Sequence, residues 1–174
     1  MVVFWGKIAS ATPWPSISSL PNSSLGLLIY GSISKLNCGE RLAGRCDINN
    51  DGISDLMIGC VPGSYVVFGR LRGWQQPILW LSEINGNNGF RNTSGLPHSE
   101  LFTWKPSCAG DYNLDGISDL LIGCPFVESM RGRALLLLGK PSWPAGVNVS
   151  VLLTTGGAVS FSTASSTSNQ YLGG

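Results

Sequence analysis

A chain of 174 residues with 43% apolar content has material for one core, two at most, and is not disordered throughout. Charged residues make up 12% and the formal net charge is +1, which excludes a nucleic-acid binder that works through a broad basic face. The 23 glycines and 10 prolines favour many short strands over long helices.

So little charge leaves three explanations open: a part of a larger assembly, a glycan-coated chain, or a piece of a longer polypeptide. No run of 18 apolar residues occurs, and the longest aliphatic stretch is Ala134–Leu138, so no membrane-spanning helix is expected. The N-terminus lacks the basic start and small-residue cleavage site of a signal peptide. Either the chain stays inside the cell or Met1 is not the native start.

In chain order, Val2-Val3-Phe4-Trp5-Gly6 reads as a strand, followed by Trp14, the element Ile17–Leu20 and a strand-like stretch near Leu27–Tyr30. An acidic loop, Asp47–Asp55, comes next and runs into Leu56-Met-Ile-Gly-Cys60. Then follow Tyr65-Val-Val-Phe-Gly69, Trp74, Leu81–Ile84 and a strand near Phe90–Asn92. The order repeats at an offset of 64: Asp111–Asp119, Leu120-Leu-Ile-Gly-Cys124, Leu135-Leu-Leu-Leu-Gly139, Trp143, Val149–Leu152 and Ala158–Phe161. The fold class is therefore all-β, in units of about 64 residues with four short strands each. Residues 1–36 are the back half of a unit, 37–100 and 101–168 are complete units with an acidic loop, and 169–174 open a further unit or form a tail. No segment sustains helical apolar spacing between caps. Ser160–Ser168 reads as a linker or a polar edge strand.

The loops place oxygen donors at alternate positions of a tight turn. In the first these are Asp47, Asn49, Asp51, the Ile53 carbonyl and Asp55; in the second, Asp111, Asn113, Asp115, the Ile117 carbonyl and Asp119. Ca2+ is a hard cation that takes six to eight such oxygens, and three crowded carboxylates repel one another unless a cation neutralises them. Two Ca2+ sites are expected. Neither loop has the Glu that an EF-hand needs at position 12, where Ile58 and Ile122 stand. A metal-free Asx-turn cluster is the competing reading.

The runs Gly44–Gly63 and Ala109–Pro125 resemble the FG-GAP repeat of integrin α-chain β-propellers and related extracellular proteins. The resemblance implies β-propeller-like blades of four short antiparallel strands with calcium in the hairpin loops. It departs from the pattern in three places. Cys38-Gly39 and Phe102-Thr103 stand where Phe-Gly gives the repeat its name, Cys60 and Cys124 replace the small residue of Gly-Ala-Pro, and only about two and a half units are present. So few blades do not close a ring by themselves and leave faces and edges open. Further blades of a longer chain, or other copies in a ring or filament, are the implied partners.

Five cysteines occur: Cys38, Cys46, Cys60, Cys108 and Cys124. Folding the second loop as a hairpin brings Cys108 near Cys124, the expected disulfide. Cys46 with Cys60 is one step out of register, and Cys38 is left over. Sequons at Asn22, Asn92 and Asn148 are candidate glycan acceptors, the first two in polar, turn-like surroundings. His98 is the lone histidine, and no nucleophile elbow, Walker loop or dinucleotide fingerprint is present, so no catalytic residue is assigned. The six tryptophans are read mainly as packing between units, with one or two able to stack on sugars. The function expected is a non-enzymatic, calcium-stabilised extracellular scaffold or adhesion module. The alternative is a carbohydrate-binding or enzyme-associated propeller segment of a secreted hydrolase.

Overall fold

Apolar runs bounded by glycine and by the acidic loops form the strands. A computed structural model describes residues 2–5, 26–31, 38–60, 63–71, 76, 78–93, 105–125 and 132–162. Among them are twelve strands: β1 Val2–Trp5, β2 Gly26–Tyr30, β3 Arg41–Cys46, β4 Asp55–Gly59, β5 Ser64–Val67, β6 Ile78–Trp80, β7 Gly89–Thr93, β8 Lys105–Gly110, β9 Asp119–Cys124, β10 Arg133–Leu137, β11 Gly146–Asn148 and β12 Ala158–Ser162. A 3-10 turn spans Leu81–Glu83, and one helix, α1, spans Val149–Thr155. The chain is mostly β, and none of its sheets closes on itself.

The three sheets have the orders β1-β2-β6, β11-β7-β5-β4-β3 and β12-β10-β9-β8. The run β3-β4-β5-β7 is antiparallel throughout, as is β8-β9-β10-β12. Two further strands lie outside the four-strand pattern read from the sequence. β6 runs parallel to β2, with Leu28 opposite Ile78, and β11 runs parallel to β7, with Gly146 opposite Arg91. Each is a short strap laid from one unit onto the last strand of the unit before it.

The inner strands of the middle sheet, β4, β5 and β7, are buried on both faces. Met57, Val66 and Phe90 point into one cluster with Leu120, Ile122, Leu135 and Leu137 of the third sheet. Ile58, Tyr65 and Val67 point the other way, against Leu27 and Ile29 of β2. Alternate residues of β4 and β5 therefore feed two cores, which is why these strands read as continuous apolar runs. Trp143, ahead of β11, stacks on Phe90 at 4.3 Å, and its Nε1–H donates to the Ile48 carbonyl at 3.1 Å. α1 is too short to show a helical stripe. Asn148 caps it by accepting from the Ser150 amide, and Gly156 ends it at a φ of 78°.

The disulfides differ from the expected pairing. Cys108 bonds Cys46, not Cys124, and Cys38 bonds Cys60. The register gives the reason. Cys108 lies opposite Leu120 on β9, so Cys124 sits four residues farther along, about 13 Å away in an extended strand. Cys46 lies opposite Asp55, which likewise removes Cys60 from its reach. Instead β3 and β8 of successive units lie side by side and bring Cys46 and Cys108 together, with a Cα separation of 5.4 Å. Cys124 is buried in the core between the second and third sheets.

The sequons also separate. Asn92 is 0% exposed, inside β7 between β5 and β11, with its Nδ2 3.5 Å from Ser64 Oγ. The folded sheet leaves no room for a glycan on that side chain, so Asn92 is not an acceptor in this fold. Asn148 is exposed at the head of α1. Asn22 and His98 lie outside the described residues.

Candidate functional site: the two acidic loops

Each loop joins two antiparallel strands, β3 to β4 and β8 to β9, and the two are built bond for bond alike. Asp47 accepts from the Asp51 amide at 3.0 Å and the Gly52 amide at 2.8 Å; Asp111 accepts from Asp115 and Gly116 at the same distances. Asn49 Oδ1 accepts from the Asp51 amide, and its Nδ2 donates to Asp51 Oδ2 at 2.9 Å. Asn113 and Asp115 repeat this pair. Asp51 and Asp115 hold the Ile53 and Ile117 amides, both at 2.9 Å. Gly52 and Gly116 take φ of 82° and 88°, a left-handed turn open to glycine without strain. Position four is left-handed as well, at Asn50 (58°) and Leu114 (61°). For leucine that conformation costs about 1 kcal/mol or more, so the hydrogen bonds impose it.

The ninth residue works differently. Asp55 is 2% exposed and Asp119 0%. Asp55 Oδ2 accepts from the Ile48 amide and Oδ1 from the Gly69 amide, each at 2.9 Å. Asp119 does the same with Tyr112 at 2.8 Å and Gly139 at 2.7 Å. Each carboxylate thus ties the start of its loop to the residues beyond the next strand, β5 or β10. From the sequence alone Gly69 and Gly139 read only as strand ends. A Cβ on Gly139 would lie 2.4 Å from the Ser118 carbonyl and 2.5 Å from Ile117 Cγ2, and Gly69 meets Ser54 and Ile53 at the same distances. Only glycine lets that amide come close enough to reach the carboxylate. Ile53 and Ile117 are therefore packing residues as well as loop members.

The first loop also meets the following unit. The Ser118 amide donates to the Asp47 carbonyl at 3.2 Å, and the Lys140 amide and Trp143 Nε1–H both donate to the Ile48 carbonyl.

Burial pushes the Asp55 carboxyl up from 3.8 to about 6; the Gly69 and Ile48 amides hold it down, and the Asp51 and Asp47 carboxylates push it further up. The folded state therefore binds this proton more tightly than the unfolded chain. The stability it contributes is complete below pH 3.8 and lost as pH rises through about 6. Without divalent cations, the melting temperature of the wild type relative to Asp55→Asn is expected to fall across that window. A rise in thermal melts over the same range would contradict the assignment.

The donor set suits a hard cation: three carboxylates and an amide oxygen per loop, with no sulfur or imidazole among them. Each carboxylate oxygen carries two lone pairs, so the amide bonds leave capacity for a second partner. Convergence is another matter. Among the described residues, no three His, Cys, Asp or Glu side chains are gathered as a ready metal site. The chemistry of the donors fits Ca2+. Comparison of the sequence with protein-family models and with curated proteins finds no match to either.

Proposed function

We propose that the chain is a non-enzymatic, calcium-stabilised scaffold module of FG-GAP type, acting outside the cell in an adhesive or architectural assembly. The observation that carries this reading is the pair of acidic loops with the same hydrogen bonds at every position. Nine-residue loops of this composition, repeated in register at strand turns, suit two Ca2+ ions that neutralise the carboxylates and fix the hairpins. Two disulfides favour an oxidising compartment, which supports an extracellular setting. The propeller-like arrangement is supported by stacked sheets, with the inner strands of the middle one covered on both faces, and it needs further units to be complete.

Calcium binding to the folded state alone raises stability by mass action, about 1.4 kcal/mol per site at ten times Kd. For a chain of this size that is a rise of roughly 3–6 °C per site in melting temperature. Thermal melts in calcium and in excess chelator provide the test. Coincident curves, with no heat on calorimetric titration, would overturn the calcium part of the proposal.

The carbohydrate-binding alternative is favoured by one feature. Trp80 is exposed and stacks on Tyr30 at 4.8 Å, beside a hollow of about 460 Å³ that Gln76, Glu83 and Asn88 help to line. Two of its polar groups are already engaged, however: Glu83 accepts from the Trp80 amide, and Asn88 bridges Asn85 and the Glu83 carbonyl. The scaffold reading is therefore preferred.

A further inference from the structure

Two strand pairs share one register: Val67, two residues before Gly69, faces Gly89, and Leu137, two before Gly139, faces Ala158. Counting along from these pairs makes Arg91 and Ser160 equivalent, then Asn92 and Phe161, then Thr93 and Ser162. In the two preceding units a strap lies on the last strand. β6 sets Ile78, Leu79 and Trp80 against Leu28, Ile29 and Tyr30. β11 sets Gly146, Val147 and Asn148 against Arg91, Asn92 and Thr93. On β12 the matching residues are Ser160–Ser162, and among the described residues their outer edge pairs with no strand.

Burial follows the straps. On β7, Phe90 and Asn92 are both 0% exposed, whereas their counterparts Val159 and Phe161 on β12 are 39% and 40% exposed. Two large apolar side chains thus stand open at the positions that Trp143 and β11 cover one unit earlier.

We infer that the outer edge of β12, at Ser160–Ser162, receives a short parallel strand from a second copy of this chain. The established interface says what kind of segment fits. It lies between the third and fourth strands of a following unit, as β6 lies between β5 and β7 and β11 between β10 and β12. In a second copy the corresponding stretch is residues 6–25, between β1 and β2. It contains Trp14, as the stretch holding β11 contains Trp143. Main-chain hydrogen bonds supply the affinity of such strand addition, and Val159 and Phe161 supply a covered apolar face. The contact joins unlike surfaces, so association is head to tail. This inference rests on the scaffold reading in requiring further copies, but it makes no use of calcium.

Sedimentation velocity of the full chain from about 1 μM to about 1 mM tests it. The average mass of the wild type is expected to rise above 18.5 kDa with concentration. Val159→Lys and Phe161→Lys are expected to weaken association at least about tenfold, because a charge on an edge strand opposes pairing. Both sites are exposed, so the melting temperature stays put. A peptide of residues 11–20 is expected to hold the wild type as monomer. A wild type that stays at 18.5 kDa throughout, or lysine variants that associate as the wild type does, would overturn the inference. Association lost in chelator yet unchanged in both variants would place the contact at the loops, overturning this inference while leaving the scaffold reading intact. Lysine-sensitive association with no calcium effect on melting would uphold the inference and remove the calcium reading alone.

Discussion

Asp119→Ala is expected to cost roughly 2–5 kcal/mol of folding stability, read from denaturant midpoints at unchanged m. The carboxylate is fully buried and accepts from two amides, Tyr112 and Gly139. Removing it leaves the buried Gly139 amide with no acceptor, at about 1–3 kcal/mol, and unties the part-buried Tyr112 amide. It also frees the end of β10 from the head of the second loop. Asp119→Asn keeps one carbonyl oxygen and turns an amide group toward the other donor, so it is expected to fall between the wild type and the alanine variant. Asp111→Ala is the control. Its two acceptor bonds lie in an exposed turn, where water replaces the lost oxygens, so a loss within about 1 kcal/mol is expected in chelator. If Asp111→Ala cost as much as Asp119→Ala under those conditions, the division between a buried tie and a solvated turn would be wrong.

The acidic loops and the strands beside them were legible because local chemistry determines them. Alternate Asp and Asn with Gly at position six bond to their own backbone, and the runs Leu56–Gly59 and Leu120–Gly123 can only be buried strands. The closing strands at Gly26–Tyr30, Gly89–Thr93 and Ala158–Ser162 also fall where the sequence places them. What was not legible depends on how units meet. The straps are three residues long, too short for any periodicity, and Gly146-Val147-Asn148 carries no strand signature. β11 makes β7 an interior strand and so buries Asn92, although its neighbours in the sequence are polar and turn-like. α1 is rich in valine and threonine, which favour strands, and its caps at Asn148 and Gly156 were the only signals available. Likewise, the partner of Asp119 is an amide 20 residues away, set by the approach of Gly139 and not by anything within the loop.

Replacing Cys46 and Cys108 together by alanine is expected to destabilise the chain by about 4 kcal/mol, since the bridge closes a separation of 62 residues. The double alanine variant at Cys38 and Cys60, which closes 22, is expected to lose about 3 kcal/mol on the same argument. The longer bridge has a second role. Cys46 is buried in the core shared by the second and third sheets, and its sulfur lies 3.2 Å from the Asp119 carbonyl. It therefore pins β3 of one unit to β8 of the next, at the tie between the second loop and β10. Cleaving the unreduced double alanine variant at Cys38 and Cys60 before each aspartate checks the pairing directly, because Cys46, Cys108 and Cys124 then lie on three separate fragments. Fragments 1–46 and 55–110 should remain joined, with 119–174 separate. Recovery of 55–110 joined to 119–174 would restore Cys108 to Cys124 and remove the covalent link between units. Denaturant melts of the two double variants then rank the bridges. If losing Cys38–Cys60 proved the more costly, strain or residual structure would outweigh loop length, and the contact of β3 with β8 would be held by the shared apolar core alone.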